Sequence, residues 1–152
     1  MTIMGGKQED GRYFIRGSVT KRQIESGKLD HIFIDFLVDT TQPKTTISQS
    51  QALKHGIDYK NLEKEVILIN STYIEAYVLD DCEIKIRNQS NSDPMYYLEK
   101  FDKIFVPDEG FSRDNPEVHI SRLGLDFLER FTISFLSSEP TSGGIILEKK
   151  NS

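Results

Sequence analysis

Apolar and polar positions alternate along most of this chain, and that alternation predicts strands rather than helices. Tyr13, Ile15 and Val19 fall on one side of the pattern and Arg16 and Ser18 on the other. A period of two places successive side chains on opposite faces of a sheet. Residues 31–38 (HIFIDFLV) are the most apolar run, rich in β-branched and aromatic residues and too short for a typical buried helix. They predict a central strand, ended by Asp39-Thr40-Thr41-Gln42-Pro43, where Pro43 removes a ladder donor. Thr45-Thr46-Ile47-Ser48 resumes as a short strand, and residues 49–55 form a brief helix capped by Ser48 and stopped at Gly56.

Residues 66–69 and 73–79 are two further strands around Asn70-Ser71-Thr72, which reads as a hairpin tip. Residues 82–87 (CEIKIR) alternate cleanly and extend the sheet, and residues 101–106 add a strand ended by Pro107-Asp108-Glu109-Gly110. A long loop through Asn115-Pro116 leads to residues 119–124. Leu125, Leu128 and Phe131 then recur at helical spacing and predict one short amphipathic helix over 126–131. Residues 132–136 and 145–147 close as strands across Gly143-Gly144. Residues 1–10, polar and with a Gly pair, read as a flexible N-terminal tail and 149–152 as a second tail, leaving one domain over 11–148. With no internal repeat, the reading is a mostly-β fold with a barrel-like or sandwich core.

At 152 residues the chain is long enough to bury about two thirds of its unfolded surface in one domain. Nine Phe and six Tyr among 37% hydrophobic residues exclude a disordered chain. Nineteen Lys and Arg against 24 Asp and Glu give a net charge of −5, which argues against binding nucleic acid through bulk charge. Cys82 is the sole cysteine, so no intramolecular disulfide forms and nothing indicates an oxidising compartment. Residues 1–10 lack an apolar signal core and no run approaches a membrane span, so a cytoplasmic protein without a membrane partner is expected.

Asp39 follows the apolar run Phe36-Leu37-Val38, where a carboxylate is costly unless it is hydrogen-bonded or employed in chemistry. An Asp after a strand is also a common turn residue. Asp35, four residues earlier and on the same face, reads as a solvent-facing or cross-strand-paired acid. Asp80-Asp81 and Asp108-Glu109 are acid pairs in turns, and His31, His55 and His119 show no ligand spacing, so no metal site is expected. Cys82 reads as a buried strand thiol without a neighbouring base.

Several of these parts form an ordered set. Residues 36–38 lead into Asp39-Thr40, and Thr45-Thr46-Ile47 follow six to eight residues after the Asp. A short helix ends at Gly56-Ile57, a hairpin spans 66–87, and Leu123-Gly124 runs directly into the helix of residues 125–130. In this order and spacing the chain resembles the retropepsin-like aspartic proteases, the single-lobed retroviral type, over about residues 13–147.

The resemblance implies a single-lobed, acid-protease-like closed barrel with a flap hairpin and one short C-terminal helix. It implies a homodimer in which two copies of Asp39 share a proton and activate a water to hydrolyse an extended polypeptide. Thr40 and Thr41 would complete the catalytic set, with Thr40 bracing the two loops across the axis. The tip residues Asn70, Ser71 and Thr72 would close over the substrate, with Leu123 and Gly124 beside it. No metal or organic cofactor is implied. The alternative is a catalytically inactive module of the same fold, used for dimerisation or peptide binding. Its support is the departure from the family pattern: Thr41 stands where the family has Gly, and Gln42 and Pro43 follow. A β-branched Thr adds bulk and opposes any φ > 0 geometry there, and a tip without glycine is expected to be stiff.

Overall fold

A computed structural model describes residues 1–21, 33–90, 95–110, 115–136 and 144–150 of the chain. Strands dominate: β1 (Thr2–Lys7), β2 (Tyr13–Lys21), β3 (Ile34–Val38), β4 (Lys64–Ile69), β5 (Thr72–Arg87), β6 (Tyr96–Pro107), β7 (Arg122–Leu123), β8 (Phe131–Leu136) and β9 (Gly144–Lys149). Two short helices, α1 (Gln49–Lys54) and α2 (Leu125–Leu128), and a 3-10 turn over Pro116–His119 complete the described elements. The fold is mostly β, as the alternation predicted. No described helix is long and apolar enough to cross a membrane.

All these strands join one sheet whose main path runs β4-β5-β2-β1-β9-β8, with β3 on β2, β6 on β5 and β7 on β3. Among the described strands, only the β3–β7 pair is parallel. The path has two ends, β4 and β8, so the sheet stays open where a closed barrel was expected. The expected N-terminal tail is also different. Residues 2–7 form β1, paired with β9 from Thr2↔Glu148 to Gly6↔Gly144 and with β2 at its far end. Ile3, fully buried, anchors that strand to the core. β9 in turn runs to Lys149, the first residue of the expected second tail.

The strands expected over 73–79 and 82–87 are one continuous element, the sixteen-residue β5. Asp81 sits in it at φ 53°, a left-handed conformation that short polar side chains tolerate. Around it the inward positions change from Ile74, Ala76 and Val78 to Leu79, Cys82, Ile84 and Ile86. The first set packs with Ile67, Ile69, Phe105 and Val118 under the β4–β5 hairpin, and the second belongs to the main core. One strand therefore serves two apolar clusters.

At the hairpin tip Ile69 pairs with Thr72, so the loop is only Asn70 and Ser71, and Thr72 is already strand. Both loop residues have positive φ, 48° and 65°, the arrangement a two-residue hairpin loop needs to match the strand twist. Asn accepts this conformation readily, whereas Ser71 pays for its Cβ. Replacing Ser71→Gly is expected to stabilise the fold by about 0.5–1 kcal/mol. Urea unfolding would show it as a raised midpoint at unchanged slope, and no gain would mean that Ser71 carries no strain.

Three local features place the segment after β3. Ser48 caps α1 by accepting from the Gln51 N–H, and Gly56 at φ 66° turns the chain away, both as expected. Residues 45–48 do not form the expected strand. Thr46 makes two isolated bridges instead, one to Phe105 and one to Arg122. α2 begins at Leu125 behind Gly124 and buries Phe127 and Leu128, with Phe131 stacked on Phe127 at a centroid distance of 4.9 Å. His31 and Gly143 lie outside the described residues.

Candidate active site

The apolar strand β3 delivers Asp39 to the edge of the core, and the backbone holds it there. The Asp39 N–H donates to the Leu123 carbonyl at 3.2 Å, and the Asp39 carbonyl accepts from the Gln42 N–H at 3.2 Å. Both carboxylate oxygens are engaged. Oδ1 accepts from the Thr41 hydroxyl at 2.6 Å and from the Thr41 N–H at 3.0 Å. Oδ2 accepts from Arg122 Nη1, also at 2.6 Å. Thr41 does not adopt a positive φ, so its side chain is accommodated without strain and is used to bind Asp39. Partial burial pushes the Asp39 carboxyl up, but the two Thr41 hydrogen bonds and the Arg122 guanidinium outweigh it and hold the group below its ordinary value.

Arg122 reaches Asp39 because β7 runs parallel to β3 with Leu37 opposite Arg122. Asp39 is two residues beyond Leu37 and so shares its face. Backbone hydrogen bonds in both directions with Thr46 fix Arg122 in place. Its side chain is 4% exposed, its second terminal nitrogen binds Glu117, and its Nε is buried without a partner. Glu117 is also approached by Arg12 at 3.7 Å, and Arg12 is held by Asp10 at 2.8 Å. Charges of opposite sign thus alternate from Asp39 through Arg122, Glu117 and Arg12 to Asp10.

An open cleft of about 480 Å³ lies over Asp39. Asp39, Thr40, Thr41 and Asn70 line it together, so the structure brings the Asp39 loop and the hairpin tip to one space. Leu37, Arg122, Tyr13, Phe135 and Ile145 form other parts of its wall. Ser71 and Thr72 are exposed at the tip and are not part of that wall. Leu123 and Gly124 lie behind the loop, both buried, and support it through Asp39 and Gln42. Thr45 ties α2 to this support. Its N–H and hydroxyl donate to the Asp126 carboxylate, and its hydroxyl oxygen accepts from the Gly124 N–H. Burial raises the Asp126 carboxyl above its ordinary value despite the Thr45 hydrogen bonds.

Sequence reasoning missed Arg122, Glu117, Arg12 and Gln42. Gln42 is nearly fully buried and links three pieces: its Nε2 donates to the Leu68 carbonyl of β4 at 2.7 Å, and its carbonyl accepts from the Leu125 N–H at 2.7 Å. The available signal was a large polar residue directly after an exposed loop. For Arg122 it was a cation set between Ile120 and Leu123.

No family model matches the chain, and no curated protein matches it. Among solved structures it is similar to a retropepsin-like aspartic protease from Rickettsia conorii. The two share 21% identity and superpose with a TM-score of 0.54, over 97% of this chain and 90% of the other. The strand that ends in Asp39, the hairpin above it and the helix behind Gly124 are therefore parts of one recognisable architecture: the chain has the retropepsin-like fold.

Proposed function

We propose that this protein is a homodimeric aspartic-type endopeptidase, in which two copies of Asp39 activate a water against a peptide bond of an extended polypeptide. The observation that carries this reading is the position of Asp39: part-exposed at a strand end, on the floor of a cleft that reaches the tip of a two-stranded hairpin. One chain supplies one such carboxylate, and peptide hydrolysis of this kind needs a pair sharing a proton. The β4–β5 hairpin would act as the flap, with Asn70 nearest the substrate, and Thr40, exposed beside Asp39, would meet its counterpart. The test is cleavage of an unstructured polypeptide across pH about 3 to 7, bracketing carboxylate titration. Wild type, Asp39→Asn and Thr41→Gly would be compared.

The surface that would complete the dimer is the β8 edge. β8 pairs only with β9 among the described strands, and Phe135 and Leu136 are exposed on it. Phe135 also packs on Tyr13 at 4.9 Å and lines the Asp39 cleft. Unpaired strand edges with exposed apolar side chains favour pairing with another strand, and two-fold contacts are the commonest homo-oligomer symmetry. Phe135→Lys is expected to shift the protein from dimer to monomer in analytical ultracentrifugation and to reduce cleavage in proportion. Val66→Lys, an exposed apolar position on the opposite edge strand β4, is expected to leave the dimer intact. A monomeric wild type that still cleaves would overturn the two-copy site.

A second reading, a non-catalytic module that binds extended peptides, is favoured by one observation: Thr41 and Arg122 together occupy both oxygens of Asp39. It expects peptide binding that is indifferent to Asp39→Asn.

A further inference from the structure

We propose that Arg122 is a positioning residue that keeps Asp39 in its carboxylate form, dividing its guanidinium between Asp39 and Glu117. In this way it sets the acidity at which the site takes up the one proton that peptide hydrolysis needs. The catalytic part of this proposal rests on the peptidase reading above; the charge assignment does not. Three observations carry it. Arg122 is a buried cation, placed by backbone bonds on both sides and not by a mobile loop. Its two terminal nitrogens go to two different carboxylates, with Nη1 on the very oxygen of Asp39 that Thr41 leaves free. Its Nε is buried and unpartnered, so the carboxylate bonds are what satisfies this group, and an unpaired guanidinium here would be costly.

The charged groups facing Asp39 can be followed element by element. Its own loop supplies the Thr41 hydroxyl and N–H, and β7 supplies Arg122. The 3-10 turn supplies Glu117 behind Arg122, and the β1–β2 connection supplies Arg12 and Asp10 behind Glu117. Asn70 and Phe135, facing the cleft from the hairpin and β8, bring no charge. Arg122 is thus the nearest cation, and Glu117 is the acid that competes for it. A cation bonded to Asp39 favours the ionised form, whereas a shared proton requires one of the two carboxylates to be neutral. The singly protonated pair therefore forms only at lower pH, and the upper limit of activity moves toward acid.

The experiment has two readouts on the full chain: a carboxyl-carbon NMR titration of Asp39 and the pH profile of peptide cleavage. Arg122→Met is expected to move the Asp39 titration and the upper limb of the profile up by about one pH unit or more, the usual effect of losing a contacting opposite charge. Glu117→Gln gives Arg122 wholly to Asp39 and is expected to move both readouts down. Arg122→Lys keeps the charge with a single contact and is expected to move them less than Arg122→Met. Movement in opposite directions is something a merely structural role would not produce. An Asp39 titration in Arg122→Met within about 0.3 pH unit of wild type would overturn the proposal, as would same-direction shifts in Arg122→Met and Glu117→Gln. If Arg122→Met does not fold, the downward shift in Glu117→Gln against Arg122→Lys decides. Shifted titrations with no cleavage in any variant would uphold the charge assignment and sink the peptidase reading, whereas cleavage with unshifted titrations would do the reverse.

Discussion

Asp39→Asn is expected to abolish peptide cleavage, by about 10³-fold or more, because in the proposed dimeric peptidase it would remove the base and the shared proton from both halves of the site at once. The substitution is close to isosteric and keeps an oxygen for the Thr41 hydroxyl and N–H. It leaves Arg122 Nη1 without its anionic acceptor, but Glu117 still holds the other nitrogen. A destabilisation of about 1–3 kcal/mol is expected from that lost charged hydrogen bond, so the variant should be assayed well below its midpoint. Retained cleavage in a folded Asp39→Asn protein would remove Asp39 from the mechanism. Silence in wild type with activity in Thr41→Gly would identify the Thr41 side chain as the block.

The acid side of the same assay has its own limit. The Asp39 carboxyl lies below its ordinary value, so the stability it contributes is fully present above about pH 3.9 and is lost as pH falls through the lower folded value. Asp126 acts with the opposite sign. Its folded value is raised, so its contribution is greatest below about pH 3.9 and declines as pH rises through the folded value.

Gly124→Ala is expected to be the most damaging single-methyl change near the site. A Cβ there would lie 2.7 Å from the Gln42 carbonyl oxygen, 2.7 Å from the Lys44 carbonyl carbon and 2.9 Å from the Lys44 oxygen. All three are backbone atoms, so no side chain can rotate away. The conformation itself is not the obstacle, since Gly124 has φ −97° and ψ −173°, extended values open to any residue. The cost is close approach. Relief would require separating the Asp39 loop from β7 and α2, which are joined by the Asp39 N–H to Leu123 and the Leu125 N–H to Gln42. A loss of about 2–4 kcal/mol is expected, a fall in melting temperature of about 10 °C for a domain of this size. Gly6→Ala, whose Cβ would meet nothing within 4 Å, is the control and is expected to stay within about 0.5 kcal/mol of wild type. Equal stability of the two variants would show that the loop and α2 separate easily.

What was legible in the sequence was what short range controls. Asp39 at the end of an apolar run, the Ser48 cap and the Gly56 stop are decided by neighbours in the chain and are found in place. The helix expected over 126–131, by contrast, starts at Leu125, ends at Leu128 and leaves Phe131 to open β8. β1 was not legible because Ile3 is its only fully buried side chain. Its ladder comes from β9, more than 130 residues away. The pair Asp80-Asp81 looked like a turn because acidic doublets usually are, yet the strand bends there and keeps its register against β6. Arg122 directly precedes Leu123-Gly124, yet its local sequence does not mark it as a site residue. Nothing within ten residues of it reveals a partner 83 positions earlier. Charge pairing across a parallel strand contact is a tertiary fact.

The pairing of β1 with β9 also shapes how the chain must be made. Synthesis completes β1 roughly 10–30 s before β9 emerges, at ordinary elongation rates. For that interval β1 has the β2 hairpin contact at one end and no strand along its other edge. The sheet that carries β8 cannot assemble until nearly the last residue of β9 is available. Nascent chains of this protein are therefore exposed to edge-to-edge capture by one another on a crowded polysome, and a holding chaperone would act chiefly on that unfinished edge.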